Sequence, residues 1–206
     1  ARSHAMNYHP LVRAVSRGMP RAAGHVVVAV SGGADSMALI HALNLLRDRR
    51  DWSMSLTIGH VQHHLHDEAE HHADFVSKQA QKLGLSFQRR DVDVRTATAA
   101  AGNVEAAARR LRYQALDQIA ESAGASMIAT AHHSDDQLET MLMRLMRGSG
   151  TRGLRGLRRR RRLIEGSSRL LIRPMLRADR AMVLDFLELG GWSWCEDPTN
   201  ADLSRV

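Results

Sequence analysis

A glycine-rich hexapeptide at positions 31–36 is the sharpest chemical signal in the sequence. Its members are Ser31, Gly32, Gly33, Ala34, Asp35 and Ser36. Two glycines allow a tight turn, so that consecutive N–H groups and the start of a following helix can surround a phosphate. Asp35 would repel that phosphate unless a cation lies between them. This segment, hereafter the glycine loop, lacks the lysine and spacing of G-x-x-x-x-G-K-[ST], so the γ-phosphate machinery of ordinary ATPases is not expected.

A simpler alternative explains part of the glycine loop without a ligand. It is a tight strand-to-helix turn in which Ser36 is the helix N-cap. Asp35 remains unexplained by that alternative.

A second polar segment, the His–Asp loop at positions 132–136, precedes another helical pattern. Ser134 and Gln137 have the spacing of a capping box, and acidic residues in a first helical turn suit the helix dipole. That account leaves out the pair His132 and His133, and also Glu139. Because loops after parallel strands emerge at the same edge of a sheet, we expect the two loops to face one crevice.

Two further groups of residues could carry chemistry. Six histidines follow the second predicted strand: His60, His63, His64, His66, His71 and His72. A zinc site there lacks the usual cysteine ligands, so a solvated or nucleotide-contacting loop is favoured. In the next helical pattern Asn103 can be the cap, and Glu105 and Arg109 can form an ion pair four residues apart, with Arg112 within about one turn.

The elements that must position these residues alternate along the chain. Apolar runs predict strands over 26–30, 56–61, 85–94, 127–131 and 170–173, and helical patterns cover 36–49, 67–83, 103–122, 134–147 and 179–189. Strands and helices that alternate in this way form βαβ units. The fold class predicted is therefore α/β, a doubly wound and mainly parallel sheet with helices on both faces.

The composition points to a polyanionic partner. The chain has 206 residues, a formal net charge of +7 and a pI near 10.8, and only two of its 29 basic residues are lysines. Ten arginines lie between positions 148 and 177, a segment predicted to be a mobile basic loop. We expect an N-terminal segment over 1–24, a nucleotide-binding domain over 25–147, and a basic and helical extension over 148–206.

Cysteine content and hydropathy exclude several classes. Cys195 is the only cysteine, so disulfide scaffolds and chemistry that needs paired thiols are excluded. No segment approaches the roughly 18 apolar residues of a membrane span. A cytoplasmic protein is expected.

The glycine loop resembles the pyrophosphate loop of the N-type ATP pyrophosphatases, also called the PP-loop superfamily. Within that superfamily the chain resembles the tRNA(Ile)-lysidine synthases. The blocks that carry this resemblance are 60–65, 103–113, 132–140 with 144–154, 173–174 and 196–200. They follow one another in the family's order over nearly the whole chain from about Val26.

The resemblance implies a two-step reaction at the wobble cytidine of a minor isoleucine tRNA with a CAU anticodon. ATP adenylates the cytosine 2-oxygen, and the ε-amine of free L-lysine then displaces AMP. It implies that the glycine loop and His60 bind ATP, with Mg²⁺ at Asp35.

The resemblance also assigns residues to each step. The catalytic residues implied are Asp35, Arg109, His133, Asp136 and Glu139. The lysine-binding residues are Arg112, Asp136 and Glu139. The tRNA-binding residues are Arg152, Arg155, Arg158, Arg159 and Arg160. A homodimer is a further expectation.

The sequence departs from the family pattern in two respects, and two alternative functions stay open. Many family members carry additional C-terminal tRNA-binding domains, and His66 stands where arginine is common. The enzymatic alternative is another PP-loop synthetase or amidotransferase, such as an NAD synthetase, which needs no basic face. The non-enzymatic alternative is a tRNA-binding module with a decayed ATP site.

Overall fold

The computed structural model describes residues 6–62, 69–93, 104–146, 148 and 156–196. The helices are α1 Pro10–Gly18, α2 Ala34–Arg47, α3 Ala69–Leu83, α4 Val104–Ser122, α5 Ser134–Met146 and α6 Arg180–Gly190. The strands are β1 Ala22–Ala29, β2 Ser53–Gln62, β3 Ser86–Asp91, β4 Met127–Ala129, β5 Arg160–Arg162 and β6 Leu170–Ile172.

One six-stranded sheet, in the order β3-β2-β1-β4-β6-β5, connects these elements. The neighbours from β3 to β6 are parallel, and β5 alone is antiparallel, at the edge beside β6. The predicted doubly wound α/β class is confirmed.

Successive side chains of a strand point to opposite faces of the sheet. Each face therefore carries side chains against which helices pack. Val26 and Val28 pack in the larger core with α1, α2, α3 and α6. Val27 packs on the other face, against Tyr113, Leu116 and neighbouring residues of α4. The central strand β1 is therefore buried on both sides, and its carboxyl end leads directly into the glycine loop.

Two elements were not predicted. Helix α1 begins with Pro10, is capped by the His9 side chain, and buries Leu11, Val12 and Val15. The short strand β5 lies within the arginine run. The prediction of a mobile basic loop is therefore wrong for residues 160–162, because their backbone pairs with β6 and the chain turns back along the sheet.

The packing does not follow the three predicted segments. Strand β1 starts at Ala22, before the expected boundary at residue 25. Beyond residue 147, β6 joins the sheet beside β4, and α6 buries Val183, Phe186 and Leu187 in the core that holds α2. The described part of the chain is built around one sheet.

None of the helices in the described ranges has the length and apolar character needed to cross a bilayer.

Candidate active site

The glycine loop connects the buried strand β1 to α2. Gly32 has φ 104°, a backbone conformation that favours glycine, and a Cβ there would come within 3.4 Å of Val76. Gly33 has φ −70° and ψ 163°, which any residue can adopt, and is the N-cap of α2. Only the first glycine is therefore needed for the turn. A side chain at the second would project into the space in front of the helix.

Ser36 is not the N-cap, so the purely structural explanation of the glycine loop is wrong in that detail. Its hydroxyl donates to the Gly33 carbonyl at 2.9 Å and accepts long hydrogen bonds of 3.2 Å from the N–H groups of Ser31 and Gly32. Within the described ranges, no side chain caps the start of α2. The N–H groups of its first turn are thus left for an anion in front of the helix.

The His–Asp loop stands beside the glycine loop, as the parallel sheet predicts. His133 immediately precedes α5, and its Nε2 lies 3.5 Å from Oδ1 of Asp35. The predicted capping box is displaced by one residue. The backbone N–H of His133 donates to Oδ2 of Asp136 at 2.7 Å, and the N–H of Asp135 donates to Nδ1 of His133 at 3.3 Å. The cap thereby fixes the imidazole of His133 toward Asp35.

Arg180, at the start of α6, completes this cluster. Its Nη1 donates to both carboxylate oxygens of Asp35, at 2.7 and 2.8 Å. Burial raises the pKa of Asp35, but the hydrogen bond from His133 and the charge of Arg180 outweigh it and hold that pKa below 3.8. The hydrogen bond with Asp35 in turn raises the pKa of His133 above 6.5. Sequence reasoning missed Arg180, because it stands 145 positions from Asp35 and no local pattern connects them.

His132 has the opposite environment. Its Nδ1 is 3.0 Å from Oγ1 of Thr130. Burial, together with the nearby charges of Arg173, Arg109 and Arg112, lowers its pKa to about 3. Of the two histidines, His133 is therefore the one that faces the glycine loop and can carry a proton near neutral pH.

The predicted ATP-binding residue His60 lies on β2, next to the strand that leads into the glycine loop. Its Nδ1 donates to the carbonyl of Val30 at 2.8 Å, and burial lowers its pKa below 6.5. The neutral ring thus supports the residue that precedes the glycine loop.

The remaining predicted site residues differ in their exposure. Asp136 is half-buried and Glu139, one turn further along α5, is exposed. Arg109 and Arg112 are exposed on α4 near His132. The guanidinium carbon Cζ of Arg109 lies 5.4 Å from the ring centre of Tyr113. Asn103, the Glu105 side chain and His63, His64 and His66 fall outside the described part of the chain.

The predicted tRNA-binding arginines divide into two groups. Arg158 and Arg160 are exposed, whereas Arg159 is half-buried and its Nη1 donates to the Arg17 carbonyl. Arg152 and Arg155 fall outside the described ranges. Arg161 points back to the sheet, 4.9 Å from the ring centre of Tyr113.

Behind the run, the buried Arg173 donates to the Arg158 carbonyl at 2.7 Å. Part of the arginine run is therefore structural, and its alternate residues face solvent.

Metal ligands are sparse in the described ranges, which contain no group of three histidine, cysteine or acidic side chains suited to hold an ion. One carboxylate plus substrate phosphates is an arrangement that Mg²⁺ commonly uses, and Asp35 in the first turn of α2 fits it.

Sequence comparison identifies the family. A family model described as a PP-loop domain matches residues 7–205. The chain belongs to the PP-loop domain family. The glycine loop lies within the matched range.

Among curated proteins, the chain is similar to several tRNA(Ile)-lysidine synthases. It is 38% identical to that of Ralstonia nicotianae over 91% of this chain, and 38% identical to that of Geobacter sulfurreducens over the same share. With the Symbiobacterium thermophilum protein it shares 40% identity over 90% of the chain. In all three cases the match covers 38% of the relative's own length.

Among solved structures, the fold is similar to the U34-tRNA thiolase NcsA of Methanococcus maripaludis. The TM-score is 0.74 at 16% identity, over 91% of this chain and 65% of that one. A phosphoadenylyl-sulfate reductase of Candida auris matches with a TM-score of 0.53 at 10% identity, over 94% of this chain and 87% of that one. At these identities the likeness concerns the fold.

Proposed function

We propose that this PP-loop domain carries out ATP-dependent ligation of lysine to the wobble cytidine of an isoleucine tRNA with a CAU anticodon. The observation that carries the proposal is the joining of two loops in one crevice, with His133 and Arg180 meeting Asp35 in front of α2. The 38–40% identity to tRNA(Ile)-lysidine synthases supports this reaction over others of the fold. We expect it to take place in the cytoplasm.

ATP would bind with its phosphates at the glycine loop, which we assign as the PP loop of the domain. The first turn of α2 offers N–H groups to an anion, and the positive φ of Gly32 lets the chain turn into that helix. Asp35 would hold Mg²⁺ together with the phosphates, and the metal would neutralise charge that develops on the pyrophosphate. Attack by the cytosine 2-oxygen on the α-phosphorus then breaks the bond to the β-phosphate and releases pyrophosphate.

Lysine would approach from the α5 side. One oxygen of Asp136 accepts the His133 N–H, which leaves the other oxygen, together with Glu139, to bind the ε-ammonium group. Arg112 would bind the lysine carboxylate, and Arg109 would contact the adenylated intermediate. The amine must lose protons before and during its attack on cytosine C2, and His133 is placed to exchange one of them.

The tRNA would lie along the exposed arginines. Arg158 and Arg160 face solvent at the sheet edge beside the crevice. Phosphate contacts of this kind position a nucleic acid without reading its sequence.

Lysine transfer tests the proposal directly. The protein is incubated with ATP, Mg²⁺, radiolabelled lysine and an isoleucine tRNA transcript with a CAU anticodon, beside a matched transcript whose wobble base is guanosine. Label is expected only in the cytidine transcript. Absence of label, where a full-length tRNA(Ile)-lysidine synthase labels the same transcript, would refute the proposal.

Homodimer formation is a separate part of the proposal. Helix α5 exposes Leu138, Leu142, Leu145 and Met146 by half or more, and exposed apolar patches are typical of interaction surfaces. A monomeric mass in light scattering at micromolar concentration would contradict it.

A further inference from the structure

The ion pair between Arg180 and Asp35 lies in front of the PP loop, on the carboxylate that the proposed function assigns to Mg²⁺. One guanidinium nitrogen, Nη1, bridges both oxygens of Asp35 at 2.7 and 2.8 Å. These two oxygens are the atoms that a metal ion would bind. Arg180 therefore occupies, with a positive charge, the side of Asp35 that faces the opening.

The backbone of Arg180 is fixed from the other side of the crevice. Its N–H donates to Oδ2 of Asp135 at 3.0 Å, and the N–H of Ser134 donates to the Ala178 carbonyl at 2.8 Å. The starts of α5 and α6 are thus joined by hydrogen bonds. From this anchor the Arg180 side chain reaches across to α2, so it spans both loops that form the crevice.

The Arg180 side chain is more accessible to solvent than a buried ion pair would be. It is 44% exposed, and its described carboxylate partner is 32% exposed. An arginine ion pair with this degree of solvent access contributes little net free energy. The Arg180 guanidinium could therefore exchange Asp35 for a phosphate oxygen as its hydrogen-bond acceptor at little cost in free energy.

We propose that Arg180 is a phosphate-binding residue that holds the cation position beside Asp35 until Mg²⁺ and ATP arrive. Mg²⁺ then replaces the guanidinium on Asp35, and the released donors of Arg180 bind the pyrophosphate portion of ATP. His133 stays beside Asp35 throughout. The exchange keeps Asp35 neutralised in both states and adds one cation to the phosphates only when nucleotide is present. This inference rests on the proposed use of Asp35 and of the PP loop.

If the ion pair had only a structural role, Arg180 would not bind phosphate. Two binding measurements distinguish this structural role from the proposed phosphate-binding role. In Arg180→Ala, loss of the competing cation should make the free protein bind Mn²⁺, used as a spectroscopic substitute for Mg²⁺, several-fold more tightly by electron paramagnetic resonance. Loss of the phosphate contact should weaken binding of magnesium pyrophosphate about tenfold or more by calorimetry. The two affinities should change in opposite directions.

Matched variants provide the controls. Arg177→Ala removes an exposed arginine three positions earlier, which lies beside Pro10 and Arg13 rather than at Asp35, and should change neither affinity. Arg180→Lys should retain most of both, because a single nitrogen bridges the carboxylate and an ammonium can take its place. Melting followed by circular dichroism compares the folded state of each variant. Should Arg180→Ala not fold, Arg180→Gln, which keeps most of the side chain but no charge, is measured instead.

Unchanged affinities, or weakening of both, in the neutral variant would overturn the inference and leave the ion pair as a structural contact. Neither measurement needs tRNA or lysine, so the result is independent of whether lysine transfer occurs.

Discussion

At the scale of single residues, the site depends on the different environments of two adjacent histidines. His133 contacts Asp35, and its pKa is raised, whereas His132 lies among arginines. The sequence alone pointed to the glycine loop and to the pair His132 and His133, because both segments follow predicted strands, but it did not show which histidine faces the glycine loop. It did not indicate Arg180, whose contact with Asp35 exists only once α6 packs on α2.

The two histidines should titrate in opposite directions from 6.5 when followed by nuclear magnetic resonance. His133 should titrate above 6.5 and His132 near 3. A raised histidine pKa means that the ion pair with Asp35 stabilises the fold fully below pH 6.5 and is lost as the pH rises through the folded-state pKa.

Asp35→Asn is the matched variant for this titration. It removes the charge and keeps the shape of the side chain, so it should lower the pKa of His133 and leave that of His132 near 3. An unchanged His133 pKa would contradict the contact.

At the scale of elements, α6 is held to α2 by a stack of aromatic rings. His41 lies 4.0 Å from Trp192, centre to centre, with the ring planes 6° apart, and Trp192 also contacts Phe186. This packing keeps the start of α6, and hence Arg180, beside the PP loop. It explains why a helix far along the chain belongs to the site.

Acid should loosen this packing. Burial lowers the pKa of His41 to about 4, so between pH 6.5 and 4 the unfolded chain binds a proton that the folded chain does not. Stability must therefore fall as the pH falls through this interval. His41→Phe should keep the ring contact and reduce the loss of melting temperature between pH 7 and pH 5. An equal loss in both proteins would contradict this role of His41.

Truncation of Phe186 tests the same packing by volume. Its side chain is fully buried, so Phe186→Ala should destabilise the protein by about 3–5 kcal/mol in urea unfolding. A loss below about 1 kcal/mol would mean that α6 is not packed as described.

Strand β5 makes a prediction about the arginine run. Alternation along the strand leaves Arg160 exposed and turns Arg161 toward Tyr113. The double variant Arg158→Gln, Arg160→Gln should weaken tRNA binding and reduce the slope of log affinity against log salt by about 1–2. Arg21→Gln is the matched control, because Arg21 pairs with Asp51 next to the amino end of β1. Equal slopes in the double variant and the wild type would remove these two arginines from the interface.

At the scale of the whole molecule, the alternation of strands and helices predicted the doubly wound sheet. The sequence could not place α1 or β5. Helix α1 is short and lies before the first predicted strand, and β5 consists of three arginines, a composition that predicts solvent exposure rather than pairing. The strand forms because its backbone pairs with β6 and the guanidinium of Arg161 packs over the Tyr113 ring. Long-range contacts of this kind leave no local pattern.

The apolar face of α5 is exposed in the described part of the chain. The sequence placed Leu138, Leu142 and Leu145 on one apolar stripe, which is a common pattern for a core-facing helix. The structure leaves these side chains exposed, so periodicity identified the face but not what covers it. The chain spans 38% of the length of the relatives described above.

The products formed from α-labelled ATP test the central claim most directly. With Mg²⁺ and the CAU transcript, the label should appear as AMP, formation of this AMP should depend on the tRNA, and Asp35→Asn should lower its rate by about 100-fold or more. AMP formed without tRNA would favour a synthetase that acts on small molecules, and tRNA binding without AMP would favour a decayed site. Either result, or label in ADP, would contradict the account.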